Sequence, residues 1–448
     1  MVSILFGAVV TAAICYAAWP GYMSYDSLNA YEQSLYGIQT MLWPPLHAYM
    51  FTVSRAVGAD VWGLLVFQTF TLFTSAALVI HILVRDRRLA ALLCLCFALS
   101  FPYVTPQLGT VFAHWRDVPT AGFALMSLAF WLLASRHRSA PLLVCAVISL
   151  GAAVALRYNA FLLVFGLLAL MIWRPYLEPP RTGRARLVVI AATVLVMALA
   201  GASTRWRLPD LIRMPAAGNL SGTQQFDLIG ISACADRNFL PSSMTPGVTL
   251  TPRQIRQLYD PRHLQMSLMP KPGLPPLLET NAGGEIGGMW LRAIQIEPGC
   301  YVAHRAAVLV QQMGMAAEGP FYVSNGGISP NTFGLKLAHP RLAMAVDAYV
   351  VRNAVEAWRR PYLLYVLALG LALAAGIARR GYAALFLALI VGVMAYPALL
   401  VIAAPAADAR YIFPSSTLAA LIITLASGLL FERYLAPRLR RGRTLAAG

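Results

Sequence analysis

YAALFLALIVGVMAYPALLVIA, residues 382–403, carries no charged side chain, and it lies between Arg379-Arg380 and Asp408-Ala409-Arg410-Tyr411. A helix rises about 1.5 Å per residue, so this run reaches across the roughly 30 Å hydrocarbon core of a bilayer. Working outward, apolar runs of the same kind occupy 2–19, 61–84, 89–106, 118–134, 140–156, 158–173, 187–203, 361–378 and 413–431. With 382–403 they make about ten transmembrane helices. Two of them meet at Arg157-Tyr158-Asn159 with no loop between, and one bent span fits there as well as two. The first run lacks a basic leader, and Ala17-Ala18-Trp19 is a poor cleavage site, so an uncleaved first span is expected.

Composition agrees with a membrane class. Of 448 residues, 59% are hydrophobic and only 12% are charged, with a mean hydropathy of +0.64. A soluble domain carries more charge than this. The formal net charge of +17 is almost wholly arginine, since Lys271 and Lys336 are the only lysines. The arginines punctuate apolar runs and gather on no single face, which argues against a nucleic-acid partner. Arg85, Arg87 and Arg88, then Arg136 and Arg138, then Arg174 to Arg186, Arg379-Arg380 and the tail from Arg433 fall in alternate loops. The positive-inside rule makes those loops cytoplasmic, with both termini on that side. Abundant arginine with scarce lysine fits a GC-rich bacterial genome, hence a multi-pass protein of the inner membrane.

The opposite, periplasmic side then receives the loop 20–60, the turn His114-Trp115-Arg116-Asp117, a polar insertion over 204–360 and the turn 408–411. The fold class expected is an α-helical polytopic membrane protein with a mixed extracytoplasmic domain inserted before the last three spans. Its parts are an N-terminal membrane module (1–203), a periplasmic domain (204–360), and a C-terminal membrane module with a basic tail (361–448). Within the insertion, Pro270-Lys271-Pro272-Gly273 and Asn325-Gly326-Gly327 are turn signals. Cys234 and Cys300 are the two cysteines outside the apolar runs, and an oxidising compartment would permit them to pair.

Candidate chemistry gathers on the periplasmic side. Asp26, in Tyr25-Asp26-Ser27, has two readings. As an ionised carboxylate it takes the proton from an attacking hydroxyl; as a structural residue it caps a helix beginning at Ser27. Arg116-Asp117 reads as an interfacial anchor or as a phosphate contact beside a residue that orients sugar. Arg157 lies between two apolar runs, where an ionisable group either snorkels or lines a polar cavity. Arg410 poses the same choice. Arg116, Arg157 and Arg410 together supply planar, permanent cations suited to a phosphate. His47, after Pro44-Pro45, is a substrate contact or an interfacial residue. Asp227, Asp236 and His304-Arg305 are acceptor contacts or plain domain surface. No His, Cys or acid cluster has metal-ligand spacing and no Gly-rich nucleotide loop occurs. No cofactor is required on this reading, and a divalent metal stays open without support.

These residues resemble the membrane-embedded glycosyltransferases of the C superfamily, the group containing protein O-mannosyltransferases and the aminoarabinose transferase of lipid A. The acid at Tyr25-Asp26-Ser27, the element Trp43-Pro44-Pro45-Leu46, and the pair Arg116-Asp117 carry the resemblance. Arg157-Tyr158-Asn159-Ala160 and Arg410-Tyr411 fall where relatives place polar residues. Two departures stand out: Ser27 follows Asp26 where many relatives have Asp-Glu, and Trp43 replaces a histidine. Both bear on metal dependence and donor sugar. The resemblance implies a polyprenyl-phosphate sugar donor, an inverting displacement with Asp26 as general base, and a non-cytoplasmic site. Arg116, Arg157 and Arg410 would hold phosphate, while Tyr25, His47, Asp117, Tyr158, Asn159 and Tyr411 would contact substrate. The acceptor is a cell-envelope glycan, lipid or protein. An O-antigen polymerase or ligase using polyprenyl-pyrophosphate glycans is the alternative. A lipid or sugar transporter ranks third, because neither repeat symmetry nor mid-membrane charge is evident.

Overall fold

The computed structural model describes residues 1–37, 44–104, 106–176, 183–203, 221–280 and 283–437. The N-terminal part holds α1 (Val2–Ala18), α2 (Tyr25–Tyr36), α3 (Leu46–Ala56), α4 (Asp60–Leu83), α5 (Arg87–Ser100), α6 (Gln107–Val111), α7 (Asp117–His137), α8 (Ala140–Leu156), α9 (Ala160–Trp173) and α10 (Gly183–Ser203). The insertion supplies α11 (Ser221–Ala235), α12 (Pro252–Leu258), α13 (Leu264–Leu268), α14 (Gly283–Ile296), α15 (Pro298–Gln312) and α16 (Pro340–Ala354). The C-terminal part holds α17 (Pro361–Ala378), α18 (Ala383–Ala403) and α19 (Phe413–Leu430). Among the described residues, β pairing occurs only as isolated bridges.

Each expected apolar run is helical. Asp60–Leu83, Asp117–His137, Pro361–Ala378, Arg380–Ala403 and Ala409–Leu435 are long and apolar enough to cross a membrane, and Val2–Ala18, Ala140–Leu156 and Ala160–Trp173 are shorter apolar helices. The chain is a polytopic helical membrane protein. The run expected over 89–106 ends early, at Ser100. Phe101 keeps helical backbone, but Pro102 has no amide to continue the ladder, so turns follow and α6 starts anew at Gln107. Helix α5 itself is well begun, because the Asp86 carboxylate accepts from the Arg88 and Leu89 amides at 2.8 and 3.1 Å.

At the α8–α9 junction Arg157 is extended, with φ −144° and ψ 112°. The two helices turn back on each other there. Arg157 pairs with Asp117 at the head of α7, while the Trp131 indole near its foot donates to the Arg174 carbonyl at 3.3 Å. Helices α9 and α18 cross through glycine. A Cβ at Gly166 would overlap the Ala388 carbonyl, and one at Gly392 would overlap the Leu163 carbonyl. Small residues permit such backbone approach where lipid supplies no hydrophobic drive.

The outer part divides in two. Residues from α11 to α15 surround their own core of Phe226, Ile229, Ile255, Leu258, Ile286 and Val308, which Ala407 joins. Cys234 and Cys300 are disulfide-linked across it. Asp227, His304 and Arg305 are interior there, not surface. Asp227 accepts from the Trp290 indole at 2.7 Å and lies 2.7 Å from Arg305 Nε and 3.2 Å from His304 Nε2. Arg305 also donates to the Val401 and Ala404 carbonyls at 3.1 and 2.9 Å, tying this core to the end of α18. Residues after 320 instead pack on the membrane part. Ile328, Phe333 and Leu335 join Met23, Leu28, Tyr31 and Phe51 of the first loop. Helix α3 buries His47 and Phe51 yet exposes Tyr49 and Val53, the pattern of a helix with its outer face in lipid.

Candidate functional site

Three loops converge at one end of the bundle. The Tyr22 amide donates to the Phe112 carbonyl and the His114 amide donates to the Tyr22 carbonyl, both at 2.8 Å. Met23 pairs on its other side with the insertion, its amide donating to Gly327 at 2.9 Å and its carbonyl accepting from Ser329 at 2.8 Å. The turn at 404–411 is held likewise: Ala407 donates to Arg262 at 2.7 Å, Leu264 donates to Pro405 at 2.9 Å, and Ala409 donates to Phe321 at 2.8 Å. Backbone pairing satisfies these buried amides and fixes the loops to each other.

The cleft they enclose measures about 430 Å³ counting its open mouth, and its lining includes Asp26, Pro44, His47, Arg116, Asp117, Arg410 and Tyr411. Ser24 stands at the N-cap of α2, so Asp26 lies in the first turn and the capping reading fails. Its phase explains the wall. Ala30 and Gln33, four and seven positions on, line the same cleft. Tyr25, one position back and about 100° around the helix, points out and is 69% exposed.

Asp26 accepts from Arg410 Nη2 at 2.7 Å, across a separation of 384 residues. Arg410 Nε meets Asp408 at 3.1 Å. The guanidinium also lies over three rings, at 4.8 Å from Trp115, 5.2 Å from Tyr411 and 5.5 Å from Tyr322. Cation–π contacts of this kind strengthen with desolvation. Arg157 is buried, pairs with Asp117 and lies 4.7 Å over the Tyr411 ring. It therefore backs the cleft from behind Asp117 and Tyr411.

Electrostatics follow from that packing. Burial alone would raise the Asp26 carboxyl, but Arg410, Arg116 and Arg157 outweigh it and hold it below the usual carboxylate range. It is ionised at neutral pH. Burial raises Asp408, against the pull of Arg410. Burial, with Arg157 nearby, brings Arg116 down to about 10, which leaves it cationic. Burial, aided by Arg116, drops His47 to about 3, and burial drops His114 to about 4. Both imidazoles are neutral. His114 Nε2 donates to the Pro20 carbonyl at 2.9 Å. Among the described residues, His47 Nε2 and His114 Nδ1 have no hydrogen-bond partner.

Of the expected site residues, Asp26, His47, Arg116, Asp117, Arg410 and Tyr411 share this lining, and Arg157 adjoins it. Tyr25 and Tyr158 are exposed and line no part of it. Asn159 lies against the Tyr396 hydroxyl, outside the lining. Trp43 lies outside the described residues. Sequence reasoning missed His114, Trp115, Gln33, Asp408 and Tyr322 as site members. Gln33 was recoverable from its helical spacing to Asp26. Nothing in the sequence marks Tyr322 as a partner of Arg410. Among the described residues, no group of three or more His, Cys, Asp or Glu side chains is arranged to hold a metal.

Fold and site thus define a polytopic helical membrane protein with a charged cleft at one end of its bundle. No family model matches the sequence, and no curated protein matches it. Among solved structures the chain is similar to ArnT from Cupriavidus metallidurans bound to undecaprenyl phosphate. The two are 12% identical with a TM-score of 0.33, over 95% of this chain and 77% of that one.

Proposed function

We propose that this protein is a glycosyltransferase that moves a sugar from a polyprenyl-phosphate donor to a hydroxyl of a cell-envelope glycan, lipid or protein. One observation carries the reading: an ionised carboxylate, Asp26, shares a cleft at the end of the bundle with Arg410 and Arg116, and Arg157 stands behind it. The acceptor oxygen attacks the anomeric carbon, the bond from that carbon to phosphate oxygen breaks, and the electron pair leaves with the lipid phosphate. The acceptor proton passes to Asp26. Inversion follows from displacement at the face opposite the leaving group. Such a leaving group needs charge stabilisation, which Arg116 and Arg410 supply as preorganised cations, with Arg157 reinforcing them from behind. A free glycoside hydrolase would want two carboxylates flanking the bond.

The Asp26–Arg410 pair sets the order of events. While paired, the carboxylate is a weak base. A donor phosphate competes for Arg410, and as the guanidinium turns toward phosphate the carboxylate regains basicity. Donor binding therefore primes the base. His47 Nε2, neutral and unpartnered among the described residues, contributes a hydrogen bond to a sugar hydroxyl.

The cleft is assigned to the periplasmic side, with both termini cytoplasmic. The Cys234–Cys300 disulfide supports that side, since such bonds persist in oxidising compartments. Residues 204–360 act as the acceptor-selecting outer domain on modules 1–203 and 361–448. The test incubates purified protein with a panel of polyprenyl-phosphate sugars and follows release of lipid phosphate. Release with at least one donor, abolished by Asp26→Asn, is the expected result. Equal release by parent and variant would remove the mechanism.

A further inference from the structure

At the far end of α19 lies a second cavity, of about 1050 Å³ counting its open mouth, lined by Arg85, Asp86, Leu89, Arg379, Phe431 and Glu432 among others. Helix α19 begins beside Arg410 and ends at Leu430. Eighteen residues at about 1.5 Å each put this cavity roughly 27 Å from the charged cleft, at the opposite membrane boundary. Its walls are the α4–α5 link, the α17–α18 link and the π-helix Phe431–Leu435 that continues α19.

The charges here are not evenly available. Glu432 Oε1 accepts from the Arg85 and Asp86 amides at 2.8 and 3.0 Å. Asp86 Oδ1 accepts from the Arg88 and Leu89 amides. Both acids are thus engaged by backbone. Arg379 reaches Glu432 only at 3.7 Å, and its Nε is buried without a partner among the described residues. The Arg85 guanidinium is exposed and has no partner among the described residues. Two guanidiniums therefore face a cavity whose floor, Leu89 and Phe431, is apolar.

We propose that this cavity binds the headgroup of an anionic glycerophospholipid from the leaflet opposite the charged cleft. Arg85 and Arg379 take the phosphodiester oxygens, and Leu89 and Phe431 receive the first carbons of an acyl chain. Basic pockets between spans on the cytoplasmic side are suited to such headgroups, and each arginine near an anionic surface contributes about fivefold in affinity. The site is independent of the sugar-transfer reading.

The test uses the full chain, purified in neutral detergent, titrated with phosphatidylglycerol, phosphatidylcholine or inorganic phosphate, with bound lipid counted by native mass spectrometry. Phosphatidylglycerol should be retained, with neither of the other probes bound comparably. Arg85→Ala, which removes an exposed side chain and disturbs no packing, should cost about fivefold, and Arg85→Ala with Arg379→Ala about thirtyfold. Arg85→Lys should keep most of the affinity. Unchanged phosphatidylglycerol binding in Arg85→Ala, or equal retention of phosphatidylcholine by the parent, would overturn the proposal. Comparable binding of inorganic phosphate would reduce the cavity to a free-anion site and overturn the lipid assignment.

Discussion

Replacing Asp26 by asparagine should separate chemistry from architecture. Asparagine keeps the shape but neither the charge nor the basicity. Loss of a general base slows transfer by about 10²–10⁴-fold, or about 3–5 kcal/mol of barrier. The fold should barely respond. Arg410 keeps Asp408 at 3.1 Å and its place over Trp115 and Tyr411. Asp26 is also about a third exposed, 33% by side chain, so solvent screens its pair with Arg410 to about 1 kcal/mol. The same 1 kcal/mol has a second consequence. It is the competition that a lipid phosphate meets at Arg410, so its removal should tighten polyprenyl-phosphate binding about fivefold. The assay measures lipid-phosphate release under single-turnover conditions beside equilibrium binding of the product lipid. The expected signature is a collapsed rate, an unchanged melting temperature and equal or tighter product binding. A rate within threefold of the parent refutes the base. A rate loss matched by weaker lipid binding would make Asp26 a binding residue instead.

Other outcomes follow from the same geometry. Asp117→Asn leaves Arg157 buried without its counter-ion and should cost about 3–5 kcal/mol, read as a lowered melting temperature; adding Arg157→Gln should recover part of it. His47 and His114, with folded values of about 3 and about 4 against the ordinary 6.5, are protonated more readily when unfolded. Their contribution is therefore full above pH 6.5 and is lost as pH falls toward 4, at about 1.4 kcal/mol per unit for each ring. A melting-temperature profile over that window should flatten in His47→Gln. The kcat/KM for transfer should show no acid limb between pH 5 and 8, because Asp26 in the free protein titrates below the usual carboxylate range. Cys234→Ser opens a link between positions 66 apart and should lower stability of the outer domain by about 4 kcal/mol, visible as faster proteolysis within 221–312.

Much of the fold was legible because apolar length is a direct signal. Runs such as 61–84 and 382–403 became α4 and α18 almost residue for residue. The run at 89–106 overreached because hydropathy does not register the amide that Pro102 lacks. The site was legible as a list of charged residues near one rim. What could not be read was partnership. Asp26 and Arg410 meet because the insertion pairs with both their loops, and no local pattern encodes pairing over that distance. Helical phase decided the other misses. Tyr25 stands beside Asp26 in sequence and faces away in space. Asp227 and His304, read as acceptor contacts or domain surface, are buried with partners supplied: Trp290 and Arg305 for Asp227, Tyr259 and Asp227 itself for His304.

The stitching of Met23 to Gly327 and of Ala409 to Phe321 bears on biogenesis. Neither wall of the cleft is complete until the segment around 321–329 and the turn before the final helix are both in place. A nascent or truncated chain therefore lacks a complete cleft, and on the proposed function it should not transfer sugar. Co-expressed halves, cut between the membrane modules, should regain lipid-phosphate release only when both are inserted together.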